Sequence, residues 1–390
     1  MILKSKKVLV GVTGSIAAYK SCELVRSLQK KGAQVRVCMT PSAKEFVGEL
    51  TFRALTEDDV LSSWKDGKTG LEHISWARWA DSFVIAPASA NTIAKTASGI
   101  ADNFLTSVAL AYGKPIVFAP AMNTKMYTSN QTRQNIDKLK KWGNIIVNPE
   151  EGELACGEEG EGKLASVEDI ITAVMYSIFP KYLKNKKVLV TAGATREFFD
   201  PIRYISNASS GQMGYSLAKI AYTLGADVIL VTAPTCLKKP YGVKVIDVVS
   251  AEEMYRVVIE NLPEADIVIM NAAVADFKPE SYSTQKLKKS KENPVVNLKP
   301  NPDILKAVGE KRKKDQIIIG FAAESENIIE NARGKLKSKN LDYIIANKLD
   351  VFSKDTHRGW IIDKNGNITE IPEMDKESSA FFILEKIFKR

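Results

Sequence analysis

The sequence has only two histidines, His73 and His357, and four cysteines, Cys22, Cys38, Cys156 and Cys236, spread over 390 residues. No two cysteines stand at CxxC spacing, so neither a zinc site nor a redox dithiol is suggested. So small a supply of histidine argues against a His-rich metal site. No apolar run is long enough to span a bilayer. The opening residues, Met1-Ile2-Leu3-Lys4-Ser5-Lys6-Lys7, lead directly into a strand-like run with no signal-peptide core or small-residue cleavage site. The expectation is a cytoplasmic protein with no membrane partner.

What is present points to an enzyme of ordinary globular composition. The length suggests two domains. The formal net charge is +9, which suits anionic ligands. The basic residues are spread through both halves, and no zinc finger or RNA-binding aromatic motif accompanies them. A nucleic-acid partner is therefore not expected.

Lys7-Val8-Leu9-Val10-Gly11-Val12 is a β-branched run followed by Thr13-Gly14-Ser15. A helix is predicted over 16–31, with Ile16, Tyr19, Leu24 and Leu28 among its apolar positions, ending at Gly32. A second strand follows at 34–39. This is a βαβ unit with parallel strands. Further buried strands are predicted at 82–86 and 115–119. The pattern restarts after the basic connector Tyr182-Leu183-Lys184-Asn185-Lys186-Lys187, with a strand and Gly193, a helix over 215–224 and strands at 227–231, 265–270 and 316–320. The fold class is α/β, with two Rossmann-like open, mainly parallel sheets in tandem. The domains are 1–184 and 185–390.

Neither Gly-rich turn matches a dinucleotide site, because the second strands end in Met39-Thr40-Pro41 and Val231-Thr232-Ala233, with no acid to hold a ribose. Gly11-Val12-Thr13-Gly14-Ser15 lacks the Gly-Lys-Ser/Thr of a Walker loop. A mononucleotide phosphate held by backbone N–H groups fits better, and a plain tight turn fits equally well.

Four more segments follow in the first half: Pro87-Ala88-Ser89-Ala90-Asn91-Thr92, Gly99-Ile100-Ala101-Asp102-Asn103, Pro120-Ala121-Met122-Asn123 and Gly152-Glu153-Leu154-Ala155-Cys156-Gly157. With Gly14-Ser15-Ile16-Ala17 and His73, this set resembles the flavin-dependent cysteine decarboxylases, among them those acting on phosphopantothenoylcysteine. The resemblance covers 5–180. It implies FMN as cofactor, with Gly14, Ser15 and Thr40 at its phosphate region, Phe46, Ser89 and Asn91 lining the flavin site, and Ile16 and Met122 as further cofactor-binding residues. It implies His73 as general base, Asn123 as the amide gripping the substrate carboxylate, and Cys156 as proton donor. Taken alone, His73 beside Ile74-Ser75-Trp76-Ala77 also reads as a core histidine, and Asn123 as a turn former. The loop around Cys156 is rich in Glu and Gly and reads as a flap over a site. It ends in Lys163 where the family commonly has Arg, which keeps the charge but loses the bidentate fork.

In the second half, Thr191-Ala192-Gly193-Ala194-Thr195-Arg196-Glu197 leads through Asp200-Pro201-Ile202-Arg203-Tyr204 to Asn207-Ala208-Ser209-Ser210-Gly211-Gln212-Met213-Gly214. Asn271-Ala272-Ala273-Val274-Ala275-Asp276-Phe277, Asn301-Pro302-Asp303-Ile304, Gly320-Phe321-Ala322-Ala323-Glu324 and the basic stretch 335–339 complete the set. Together they resemble the phosphopantothenate–cysteine ligases, across 186–390. That family is commonly fused behind the decarboxylase in this order. The resemblance implies CTP with Mg2+, whose ligands stay unassigned. It places Asn271, Ala272, Asp276, Lys286, Asn301, Pro302, Asp303, Ile304, Phe321, Lys335 and Lys339 at the substrates. Asn207 would handle the acyl-cytidylate, Lys286 would be catalytic, and Arg203 would be a further ligase-site residue. Ala194, Ala208 and Gln212 depart from the commoner residues. The run 311–314 reads as a solvated face, and His357 as structural or exposed.

The resemblance implies small-molecule partners, phosphopantothenate, cysteine and CTP. It also implies a homo-oligomer of decarboxylase trimers and ligase dimers, combined in a dodecamer with sites at subunit contacts. A flavoprotein decarboxylating another thiol, such as a peptide C-terminal cysteine, is the second reading. The third is a basic nucleic-acid-binding regulator.

Overall fold

The computed structural model describes residues 1–67, 69–153, 157–288, 295–348 and 354–389. The chain divides into two compact units, Met1–Phe179 and Pro180–Arg390. The connector before residue 184 packs in the second unit. There Lys181 Nζ donates to the Thr223 carbonyl at 2.9 Å and the Leu183 N–H to the Leu224 carbonyl at 3.0 Å. Among the described residues no helix is long and apolar enough to cross a membrane.

The first unit is built on six parallel strands. In spatial order they are Val60–Leu61, Gln34–Met39, Lys7–Val12, Ser82–Ala88, Val117–Pro120 and Ile145–Ile146. The central strands Lys7–Val12 and Ser82–Ala88 are buried almost throughout, because helices cover both faces. That is why they read as continuous apolar runs and not as alternating ones. The expected helix over 16–31 splits into a 3-10 turn, Ile16–Tyr19, and an α-helix, Lys20–Lys30. Leu24, Val25 and Leu28 face the core from the α-helix. Ile16 and Tyr19 instead are 59% and 60% exposed, so they are not the core positions that the periodicity suggested.

In the second unit eight strands form one sheet: Lys244–Asp247, Asp227–Thr232, Lys187–Ala192, Ile267–Met270, Ile317–Glu324, Tyr343–Lys348, Thr356–Asp363 and Ile368–Asp375. The first six are parallel and repeat the strand order of the first unit; the last two are antiparallel. Helix Gln212–Thr223 follows the Gly-rich loop and lies close on the central strand. A Cβ on Gly214 would stand 2.6 Å from Ala192 Cβ, so a glycine is what permits that approach.

In both sheets the direction of strand addition reverses beside the first strand of the unit. The reversal opens a crevice at the carboxyl ends of Lys7–Val12 and Ser82–Ala88 in one unit, and of Lys187–Ala192 and Ile267–Met270 in the other. Open α/β sheets bind ligands at such points.

Candidate active sites

In the first unit the crevice is braced by Thr13. Its buried hydroxyl donates to the Pro87 carbonyl at 2.8 Å and accepts the Ser89 N–H at 2.9 Å, tying together the loops that follow the two central strands. Ser15 Oγ caps the 3-10 turn by accepting the Ala17 N–H and reaches the Ala121 carbonyl at 3.4 Å. Ser89 caps helix Ala90–Ser98 by accepting the Thr92 N–H at 3.3 Å. A Cβ on Gly14 would meet Ser42 Cβ at 2.6 Å, which brings the Gly14 backbone against the loop after Thr40. The result is a cavity of about 670 Å³. Gly14, Ser15, Ile16, Ser89, Met122 and Asn123 all line it, with Tyr19, Met126 and Lys163.

A β-hairpin, Glu150–Glu153 paired antiparallel with Glu159–Lys163, forms part of the wall. Its second strand is held by the Met122 N–H, which donates to the Gly162 carbonyl at 3.0 Å. A Cβ on Gly162 (φ +139°) would collide with the Met122 carbonyl. Asn123 uses both ends of its amide. Oδ1 accepts the Lys125 N–H at 2.8 Å, and Nδ2 donates to Glu158 Oε2 at 2.7 Å. Cys156 lies outside the described residues.

Four expected residues lie off this wall. The Thr40 N–H donates to the Val12 carbonyl at 3.0 Å, and its buried hydroxyl has no hydrogen-bond partner among the described residues. Phe46 is 48% exposed and Asn91 is exposed on the first turn of its helix. His73 sits on helix Glu72–Trp79 against Trp64, ring centroids 5.0 Å apart, and its buried Nδ1 has no partner among the described residues. It does not line the cavity of its own unit.

In the second unit Thr191 and Thr195 do the bracing. Thr191 Oγ1 accepts the N–H groups of Asn271 and Ala272, each at 3.1 Å, and Thr195 Oγ1 accepts the Ala275 N–H at 3.0 Å. Asn207 Nδ2 donates to the Val274 carbonyl at 3.0 Å, fastening the serine-rich loop to the same segment. The cavity between them measures about 240 Å³ and is lined by Asn207, Ser209, Ser210, Asn271, Ala272 and Phe321. His357 and Lys376 also line it. His357, read from the sequence as structural or exposed, is buried and lies along this cavity. Burial, with help from the Lys376 charge, pushes its pKa down to about 4.

The remaining ligase candidates form two further groups. Asn301 donates its backbone N–H to the Asp276 carbonyl at 2.8 Å and its amide to the Ala275 carbonyl at 2.9 Å, while Lys339 pairs with Asp303. Asp303 also caps helix Ile304–Lys311, beside Pro302, and Ile304 is packed in the core. Lys335 pairs with Glu324 at 2.7 Å. The second group is Arg203 and Lys286. The buried Asp200 carboxylate accepts the N–H groups of Ile202 and Arg203, the Arg203 guanidinium and the Leu287 N–H. Those bonds hold its pKa far below the usual carboxylate range against the opposing effect of burial. Arg203 Nη2 donates in turn to the Leu287 carbonyl at 2.6 Å. Lys286 itself is exposed and makes no contact with the cavity among the described residues.

Sequence reasoning missed Thr13, Thr191, Thr195, Asp200 and Lys376. The threonines do carry a signal, since each is a polar residue at the carboxyl end of a buried strand or in the loop that follows. Lys376 had none, because its motif-free stretch comes long after the loops it joins. The run 311–314 is also not a plain solvated face. Arg312 pairs with Asp342 at 2.6 Å, with both side chains mostly buried.

Residues 2–179 match the family described as Flavoprotein, and residues 183–390 match the DNA/pantothenate metabolism flavoprotein C-terminal domain. The coenzyme A biosynthesis bifunctional protein CoaBC of Borreliella burgdorferi is 43% identical over 389 residues, covering 99% of this chain and 100% of that protein. The CoaBC protein of Bacillus subtilis is 43% identical over 396 residues, covering 99% and 97% respectively. Among solved structures, the C-terminal domain of a CoaBC protein is 39% identical and covers 54% of this chain and 97% of that one, with a TM-score of 0.47.

Proposed function

The chain belongs to the CoaBC family of bifunctional coenzyme A biosynthesis proteins, and from that premise we propose how its two units divide the work. It is an enzyme with phosphopantothenoylcysteine decarboxylase and phosphopantothenate–cysteine ligase activities. The second unit joins 4'-phosphopantothenate to cysteine at the expense of CTP. The first unit decarboxylates the product to 4'-phosphopantetheine. The observation that carries this division is the pair of strand-reversal cavities, each gathering the loops of one of the two resemblances.

The first cavity fits FMN in kind. Its volume is that of a small-cofactor site. The Thr40 hydroxyl is buried with no partner among the described residues, and Ser42 of the same loop packs against Gly14, so this loop has a donor to offer a phosphate. Ile16, Ser89 and Met122, which line the cavity, would hold the ring system, with Phe46 and Asn91 as further candidates outside its wall. When bound, FMN supplies a two-electron acceptor and donor, which gives the departing CO2 an electron sink. The chain's own part is positional. Asn123 turns its N–H groups toward a carboxylate, as its bond to Glu158 illustrates. Lys163 brings a positive charge to the same wall. Cys156 returns the proton. His73, away from the cavity of its own unit, serves as base in a neighbouring copy's site. This fits decarboxylase trimers, which ligase dimers would join into a dodecamer.

In the ligase a carboxylate must become an electrophile. Attack of the phosphopantothenate carboxylate on the CTP α-phosphorus expels pyrophosphate and leaves an acyl-cytidylate, which the cysteine amine then opens with loss of CMP. Mg2+ and the cations Lys286, Lys335 and Lys339 offset the triphosphate charge. Asn207 lies where the acyl group would pass, at the mouth of the loop it fastens. Asp276 and 301–304 frame the nucleotide, with Asn271, Ala272 and Phe321 between it and the cavity. Arg203 faces the phosphopantothenate side.

A coupled assay on the full chain tests this. Phosphopantothenate, cysteine and each nucleoside triphosphate are supplied in turn, and pyrophosphate and CO2 are followed separately. The expected result is yellow protein, pyrophosphate released best with CTP, and CO2 in step with it. Colourless protein that cannot be reconstituted with FMN, or no pyrophosphate with any nucleotide, overturns the corresponding half.

A further inference from the structure

Lys376 and His357 share a wall of the second-unit cavity, and the reading above gives neither a task. They are 8% and 4% exposed. Among the described residues the Lys376 ammonium has no hydrogen bond or ion pair. The next residue, Glu377, pairs with Lys219 at 2.6 Å. Asp355 is exposed and acts on Lys376 only through its field, which does not outweigh the burial that pushes the lysine's pKa down. His357 Nδ1 lies 2.7 Å from Ser379 Oγ, while its buried Nε2 has no partner among the described residues.

Burying an ammonium without a counter-charge is costly, and buried polar nitrogens are normally satisfied. Here two unsatisfied cationic or donor-capable groups face one cavity. Its other lining includes Ser209, Ser210 and the first turn of helix Gln212–Thr223. The first N–H groups of that twelve-residue helix point out of its end, which carries the positive pole of the helix dipole. Every one of these features favours an anion rich in oxygen.

We propose that Lys376 and His357 form the anion-binding end of this cavity and hold a phosphoryl group of the ligase substrates. The identity of those substrates rests on the ligase reading; the preference for phosphoryl oxygen rests on the cavity alone. Lys376 supplies the counter-charge. His357, in the tautomer whose Nδ1 accepts the Ser379 hydroxyl proton, turns Nε2–H to a phosphoryl oxygen. The group can come from the nucleotide or from phosphopantothenate, and the two are separable by experiment.

Full-length Lys376→Met and His357→Gln proteins are titrated with inorganic pyrophosphate, CTP and phosphopantothenate by calorimetry, and their ligand-free thermal midpoints are measured. For Lys376→Met the affinity for the phosphoryl ligand falls about tenfold to a hundredfold, the effect of losing a charged hydrogen bond. For His357→Gln the fall is smaller. Loss with pyrophosphate and CTP assigns the group to the nucleotide; loss with phosphopantothenate alone assigns it to that substrate. The ligand-free midpoint of Lys376→Met does not fall, since the buried charge is removed, and Lys376→Arg restores binding in part. Unchanged affinities for all three ligands in both variants overturn the proposal. So does a Lys376→Met protein less stable than the wild type, because that makes the lysine structural. If the wild type binds pyrophosphate, Lys376→Met loses it, and neither makes product with CTP, the ligase reading fails while the anion site stands.

Discussion

Thr13, one residue past the first strand of the first unit, and Thr191, near the end of the first strand of the second, each bind the loops of a crevice with one hydroxyl. What those loops then present differs. The first cavity is large and flanked by Ile16, Tyr19, Met122 and Met126, side chains suited to a flat apolar ring. The second is smaller and lined by amides, serines, a histidine and a lysine, suited to charged oxygen. The scaffold thus fixes where a ligand goes, and the loops fix its chemistry.

That contrast is open to test, and the largest effect should come from Lys286→Gln. Ligation should fall roughly 10²–10³-fold, the cost of one lost charge stabiliser, while CO2 release from supplied phosphopantothenoylcysteine stays unchanged. Equal loss of both activities, followed in the same preparation, breaks the division of labour. The opposite probe is Gly162→Ala. The added methyl collides with the Met122 carbonyl and displaces the hairpin, so decarboxylation should fall on the order of 10–100-fold. Ligation measured alongside should be intact. Asp200→Asn is the milder ligase probe, expected to cost about tenfold through a weakened charged hydrogen bond. The loss should appear mainly in the KM for the ligase substrates.

Two smaller effects sharpen the likeness between the units. Thr13→Val and Thr191→Val should each destabilise their own unit by about 1–3 kcal/mol, since each leaves backbone groups unpaired. Calorimetry that shows a loss at only one of them would mean that the bracing is not shared. The smallest effect concerns acid. The folded pKa of His357 is about 4, below its ordinary 6.5. The unfolded chain therefore binds the extra proton first, and the second unit loses stability as pH falls from 6.5 toward 4. His357→Gln should flatten that slope in thermal melts taken across the window.

The strands and the strand–Gly–helix openings were legible because buried parallel strands are continuous apolar runs and glycine marks their exits. The cavity loops were legible as motifs. Where those motifs sit in three dimensions was not. Ile16 and Tyr19 fit a helical apolar period, yet a serine cap diverts them into the cavity. His73 matches its motif but lies away from the cavity of its own unit. Lys376 reaches its cavity only because the helix it opens, after two antiparallel edge strands, packs against helix Gln212–Thr223, which no local pattern encodes. Asp200 stood in a motif with no role of its own, and that role appears only once Leu287, far along the chain, donates to it.

The shared Asp200 carboxylate has an entropic consequence. Arg203 and the backbone at Leu287 are fixed by one buried acceptor, so two loops are ordered together when the protein folds. Their conformational freedom is lost before any substrate arrives. A ligand that meets them therefore does not have to order both loops on binding, and more of its contact energy is left as affinity.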